Sequence, residues 1–112
     1  MKENSLGELQ ELVLLVIGNL NSEAYGLAIK EFIKEKLQRP ISISAVHATL
    51  QRLEKKGLVS SVYDKTATSE RGGRPKLVFS ITAHGAKTLE EVRAMRNQLW
   101  TGMYDLGFNP QT

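Results

Sequence analysis

The sequence contains no cysteine, only three prolines and a single tryptophan, and aromatic side chains make up 6% of its 112 residues. Without cysteine there is no disulfide framework and no thiolate metal site, which fits a reducing, intracellular setting. Long apolar runs are missing too. The longest, Leu12 to Ile17, falls far short of the roughly 20 residues that a membrane-spanning helix needs. The first residues, Met1 to Ser5, hold no apolar stretch followed by a cleavage site, so no signal peptide is expected. These absences point away from secretion and membrane insertion and toward a cytoplasmic protein. What is present is ordinary: 41% hydrophobic and 24% charged residues, enough for one small globular unit rather than a disordered chain.

Charge of neither sign dominates, since 15 Lys and Arg face 12 Asp and Glu for a net +3. The distribution is uneven, however. Residues 39–76 hold eight bases (Arg39, Arg52, Lys55, Lys56, Lys65, Arg71, Arg74, Lys76) and three acids, whereas the remainder is mildly acidic. A basic middle between acidic ends is the footprint of a polyanion-binding face. A randomly charged surface would look similar, and charge alone does not decide between them.

Hydrophobic periodicity supplies the architecture. Leu6, Leu9, Leu12, Val13, Val16, Ile17 and Leu20 recur at helical spacing behind Ser5, an N-cap with Glu8 three residues on as its capping-box partner. Leu14 and Leu15 widen that stripe, so the first helix is expected to be buried on more than one side. After a turn at Asn19 to Ser22, a second helix spans about 23–38, with Tyr25, Ile29, Phe32, Ile33 and Leu37 on one face and Pro40 closing it. Ile41 and Ile43 alternate with serines and could form a very short strand. Ser42 or Ser44 then caps a third helix through Lys56, with Val46, Leu50 and Leu53 inward and Gly57 as its stop.

Beyond Gly57 the period changes to two. Leu58 to Tyr63 and Lys76 to Ile81 read as strands, the second with Leu77, Phe79 and Ile81 on one face. The polar stretch Asp64 to Pro75 between them makes a hairpin with a long basic tip. Thr82 caps a last helix reaching about Gly107, with Leu89, Val92, Leu99, Met103 and Leu106 along a seam. Arg96 interrupts that seam and could pair across to a partner subunit.

The order helix, helix, helix, hairpin, helix is a winged helix-turn-helix with an extra C-terminal helix, a mainly α (α+β) fold with a two-stranded wing. Residues 1–82 would form the DNA-binding domain and 83–112 a dimerisation helix and tail. In such a fold the third helix enters a major groove. Ser44, Ala45, His47, Ala48, Gln51 and Arg52 lie near its start, away from its apolar stripe. The small residues allow close approach, Gln51 and His47 could read base edges, and Arg52 and Lys55 could reach phosphates. The tip Arg71-Gly72-Gly73-Arg74-Pro75-Lys76 suits a phosphate or minor-groove contact. Lys55 and Lys56 could instead form a solvated helix end that complements the helix dipole.

No enzyme is expected. His47 and His84 are the only histidines, no Gly-x-Ser-x-Gly turn is present, and a metal site would need carboxylates from distant segments. No cofactor is implied. Trp100 reads as a packing residue of the core or of a dimer interface. A sharper reading makes it a flat platform on which an aromatic effector stacks, with Met95, Leu99 and Met103 as its neighbours at helical spacing.

The chain resembles the PadR family of bacterial transcriptional regulators. The resemblance is carried by Leu6-Gly7-Glu8-Leu9 with Val13-Leu14-Leu15, by Ala24-Tyr25-Gly26-Leu27-Ala28-Ile29, by Leu50 through Val59, and by Gly73-Arg74-Pro75-Lys76 through Phe79, Ile81, Thr82 and Gly85. In length it is similar to the short members, which have one C-terminal dimerisation helix. The resemblance implies a homodimeric repressor, in some members responsive to small aromatic compounds. Two positions depart from the family pattern. His47 stands where relatives commonly carry a DNA-contacting tyrosine, and Tyr63 where tryptophan often follows the first wing strand. The implied partners are double-stranded DNA, a second copy of the chain and a small aromatic ligand. A winged helix serving only as a protein-interaction module is the alternative.

Overall fold

A glycine opens the first helix. In the computed structural model, which describes residues 5–64 and 75–108, α1 runs Glu8–Leu20 with Gly7 as its N-cap. The Gly7 N–H donates to Gln10 Oε1 at 3.4 Å. Gln10 thus performs the reach-back expected of Glu8, and Ser5 stays outside the helix. α1 buries Val13, Leu14, Val16 and Ile17, but Leu15 remains 47% exposed. Its buried apolar stripe is therefore one-sided, narrower than the sequence suggests.

The second helix also starts later than its periodicity predicts. Asn21–Glu23 form a 3₁₀ turn, and α2 spans Gly26–Leu37. Between them the chain is extended. Tyr25 forms a β-bridge with Val78, and the Phe79 N–H donates to the Ala24 carbonyl at 2.8 Å. Hydrogen bonds to the wing compete successfully with helix formation here, so Tyr25 caps α2 instead of lying on its face. Ile41 and Ile43 form no strand, because no partner strand is offered and Ile43 already belongs to the next helix.

That helix, α3, covers Ile43–Lys55. The Ser42 hydroxyl settles which serine caps it, accepting from the Ala45 N–H at 3.1 Å. Val46, Thr49, Leu50 and Leu53 are buried, and Thr49 Oγ1 returns its proton to the Ala45 carbonyl at 2.8 Å. Gly57 closes the helix at φ +77°, a left-handed conformation that glycine adopts without a Cβ clash.

β1 (Val59–Asp64) and β2 (Lys76–Ile81) pair antiparallel, from Val59 opposite Ile81 to Asp64 opposite Lys76. Phe79 is buried as the alternation requires, Leu77 and Ile81 are half-buried, and Val78 is buried where Tyr25 joins the sheet. The hairpin tip, with Arg71 and Arg74, lies outside the described residues. One core results, in which Leu14, Ile17, Ile29, Ile33, Leu50 and Leu53 meet Leu58 and Phe79. Each such side chain contributes about 1.5–3 kcal/mol by leaving water.

α4 extends over Ala83–Asp105. Its cap Thr82 accepts from the Gly85 N–H at 3.0 Å and donates to the Gly57 carbonyl at 2.7 Å. Only Gly85 and Thr88 are fully buried. Further along, Met95, Leu99, Trp100, Tyr104 and Leu106 are exposed, so the distal half of the helix stands clear of the core. No helix among the described residues is long and apolar enough to cross a membrane.

Candidate nucleic-acid interface

The inward stripe of α3 leaves its opposite face free. Ser44, His47, Gln51, Arg52 and Lys55 are exposed there, with Ala45 and Ala48 half-buried between them. Gln51 lies one turn beyond His47, so the two share a face. Glu54, the acid nearest the two bases in sequence, is drawn aside by the Ser61 hydroxyl, which donates to its Oε2 at 2.7 Å. Arg52 and Lys55 form no ion pair with any described residue. Two cations thus remain on the outer surface beside two hydrogen-bonding side chains and two small residues.

Glycine at position 26 sets where His47 lies. A Cβ there would come within 2.8 Å of His47 Cε1, so the imidazole rests against bare backbone at the start of α2. His47 borders a groove of about 390 Å³ that also involves Tyr25, Gly26, Leu27 and Lys76. The Lys76 ammonium sits 4.0 Å above the Tyr25 ring centroid, a cation–π contact that carries a wing charge toward α3. Tyr25 is the residue that sequence reasoning missed. Helical periodicity assigned it to the core, and the Tyr25-Gly26 pair was the available signal.

Two bases of the positive middle face elsewhere. Both terminal nitrogens of Arg39 donate to Glu8, at 2.7 and 3.2 Å, and this fork holds the Glu8 carboxyl below its ordinary pKa. Lys56 Nζ donates to the Ser5 carbonyl at 2.8 Å and to Gln10 Oε1 at 2.7 Å. Lys56 is therefore an internal tie and not a solvated helix end. Pro75 is exposed at the start of the second strand, and Tyr63 is exposed on the first.

A second concave region lies between α1 and α4. It encloses about 520 Å³ and is lined by Leu15, Leu89 and Trp100 together with Glu11, Arg93 and Arg96. Arg96 does not await a partner subunit. Its Nη2 and Nε donate to Glu11 of the same chain at 2.6 and 3.1 Å, because α4 leans on α1 at this point. The Trp100 ring is tilted 38° against Tyr104 with centroids 6.0 Å apart. Trp100 lines this groove, whereas Met95, Leu99 and Met103 do not. His84 is exposed, and no cluster of three metal-ligating side chains occurs among the described residues.

The geometry can be set beside known proteins. Residues 13–91 match the transcriptional regulator PadR-like family. A PadR family transcriptional regulator from Eggerthella lenta is 31% identical, with 91% of this chain and 88% of that one aligned at a TM-score of 0.66. Bacillus subtilis PadR, solved in complex with operator DNA, aligns over 74% of this chain and 46% of its own, at 19% identity and TM-score 0.58. Bordetella bronchiseptica BpsR, whose DNA binding is regulated by 6-hydroxynicotinic acid, aligns over 99% of this chain and 74% of its own, at 19% identity and TM-score 0.65. Comparison with curated protein sequences yields no match. The winged helix-turn-helix, with its free α3 face and its long final helix, belongs to a member of the PadR-like family of transcriptional regulators.

Proposed function

We propose that the protein is a homodimeric repressor that reads operator DNA with α3 and releases it when a small aromatic compound binds. The observation that carries this reading is the outer face of α3, where Gln51, His47, Arg52 and Lys55 stand exposed opposite a buried Val46, Leu50 and Leu53. Residues 1–82 act as the reading domain, with the wing, Arg71, Arg74 and Lys76 included, on the DNA backbone. Residues 83–112 join two copies in the cytoplasm. The operator complex of Bacillus subtilis PadR supports the first role. The exposed Leu99 and Leu106, 64% and 91% accessible, support the second, since isolated chains rarely leave such a seam in water. Sedimentation equilibrium at micromolar concentration should give a dimer; a monomer at all concentrations would remove the basis for paired half-sites.

Sequence reading is assigned to Gln51 and His47. Loss of one base-edge contact costs about 1–3 kcal/mol, so Gln51→Ala should relax preference at one position in each half-site. Binding-site selection on randomised duplexes measures this. A uniform weakening over all sequences would put Gln51 on the phosphate backbone.

The ligand-release step draws on BpsR and on the groove beside Trp100. Two-fold symmetry can bring a second Trp100, with Met95, Leu99 and Met103, toward the same space, creating a slot for a flat molecule. Such a ligand changes DNA affinity only by favouring one spacing of the two α3 helices over another. Titration with planar aromatic acids and cations should quench tryptophan fluorescence in the native protein, while in Trp100→Ala, which removes the only tryptophan, the same compounds should no longer release DNA. Indifference to every such compound would leave Trp100 as packing.

A further inference from the structure

The segment 39–56, which runs from the end of α2 through α3, is fastened at both ends to one short stretch of chain. Ahead of the α3 N-cap, Arg39 places its guanidinium fork on Glu8 at 2.7 and 3.2 Å. Behind its last turn, Lys56 Nζ reaches the Ser5 carbonyl and Gln10 Oε1 at 2.8 and 2.7 Å. Ser5, Glu8 and Gln10 all belong to the entry of α1. Between these ties α3 is held by Val46, Leu50 and Leu53. Apolar burial is non-directional, so it fixes how far α3 lies from the core better than how the helix is rolled about its axis. A charged fork and a pair of ammonium hydrogen bonds are directional. Roll is what decides which side chains of a helix reach base edges in a groove.

We propose that Arg39 and Lys56 are positioning residues for DNA reading: they set the roll and register of α3 on the first turn of α1 and touch no nucleic acid themselves. The proposal rests on α3 being the recognition helix. It separates two cations of the basic middle from the rest. Lys55 and Lys56 are neighbours, yet Lys55 is exposed and has no partner among the described residues, while the Lys56 ammonium already has two acceptors. Exposed ion pairs add little to overall stability, so these ties should register in discrimination between DNA sequences rather than in melting temperature.

The test uses the full chain, an operator duplex and its scrambled counterpart, each titrated at several salt concentrations. Lys56→Met and Arg39→Met should each lower operator affinity on the order of tenfold, within the range of a single lost base contact. Binding to the scrambled duplex, the salt slope and the thermal midpoint should stay at native values. Glu8→Gln, which releases Arg39 from the α1 side, should reproduce the Arg39→Met loss, and the double variant should lose no more than either single one. Arg39→Lys, which keeps the charge but not the fork, should recover only part of the affinity. Equal losses on both duplexes, with the salt slope reduced by about one per protomer, would make these residues phosphate contacts and overturn the proposal. Unchanged discrimination in the variants, or a loss that tracks a falling midpoint, would overturn it as well. A native protein that fails to distinguish operator from scrambled DNA would instead defeat the recognition-helix reading, and this proposal with it.

Discussion

Raising monovalent salt from 50 to 200 mM should weaken operator binding roughly 10³-fold, through release of counterions from on the order of six phosphates. The count follows from which bases are free. Arg39 and Lys56 are occupied by Glu8, Ser5 and Gln10, so the proposed dimer would offer Arg52, Lys55 and Lys76 of each copy to the DNA backbone, Lys76 exchanging its contact with the Tyr25 ring for a phosphate. Doubled in a dimer, these give a slope of about −5 in a plot of log affinity against log salt. Fluorescence anisotropy on a labelled operator measures it directly. Replacing Arg52 and Lys55 by alanine should flatten the slope by about two per copy, and replacing Lys76 of the wing should flatten it by about one. A slope that does not respond to the wing variant would remove the wing from the interface.

The second large effect concerns a position with no chemistry of its own. Gly85→Ala should destabilise the protein by about 3 kcal/mol, at the upper end for overpacking a buried site. A Cβ at Gly85 would overlap the Leu58 carbonyl oxygen and crowd Ile81 Cγ2. The obstacle is backbone, held by the Thr82 N–H donating to that same carbonyl at 3.1 Å, so it cannot yield as a flexible side chain would. For a chain of this size the thermal midpoint should fall by roughly 15 °C. Gly102→Ala is the control. It lies on the same helix with nothing within 4 Å of the added methyl group. Removing glycine's backbone freedom there should leave the midpoint unchanged or raise it slightly. Similar losses at both positions would mean that α4 tolerates no added methyl anywhere, contradicting its sparse packing beyond Thr88.

Legibility in the sequence followed the range of the interactions involved. Val46, Leu50 and Leu53 announce α3 because burial imposes a 3.6-residue period that needs no knowledge of distant segments, and Gly57 marks its end by local chemistry, while two serines, Ser42 and Ser44, compete for its start. The wing strands were equally readable from their period of two. Tyr25 was not. Its backbone bridges Val78, more than fifty positions away in the chain, and that pairing overrides a helical pattern fully consistent with residues 23–38. The ties of Arg39, Lys56 and Arg96 were invisible for the same reason, each joining segments at least thirty residues apart. The exposed face of α3 could be named residue by residue, because everything inside the stripe is subtracted from it. Which cations stayed available on that face required the fold.

The contact of Gly85 with Leu58 has a mechanical consequence. It makes the start of α4 a fulcrum and the remainder a lever braced partway by the Arg96–Glu11 pair, roughly 30 Å long from Gly85 to Asp105 at 1.5 Å per residue. A pivot of about 10° at such a fulcrum swings the far end by roughly 5 Å. Two copies joined through their distal halves would convert that swing into a change in the distance between their α3 helices, against a half-site spacing of about 34 Å on B-DNA. Ala86 and Leu89, which line the groove, lie within a turn or so of the pivot, where a small wedge has its greatest gearing. Such a design would write the letters of the operator in α3 and their spacing in the angle of α4, so that each could drift without rewriting the other.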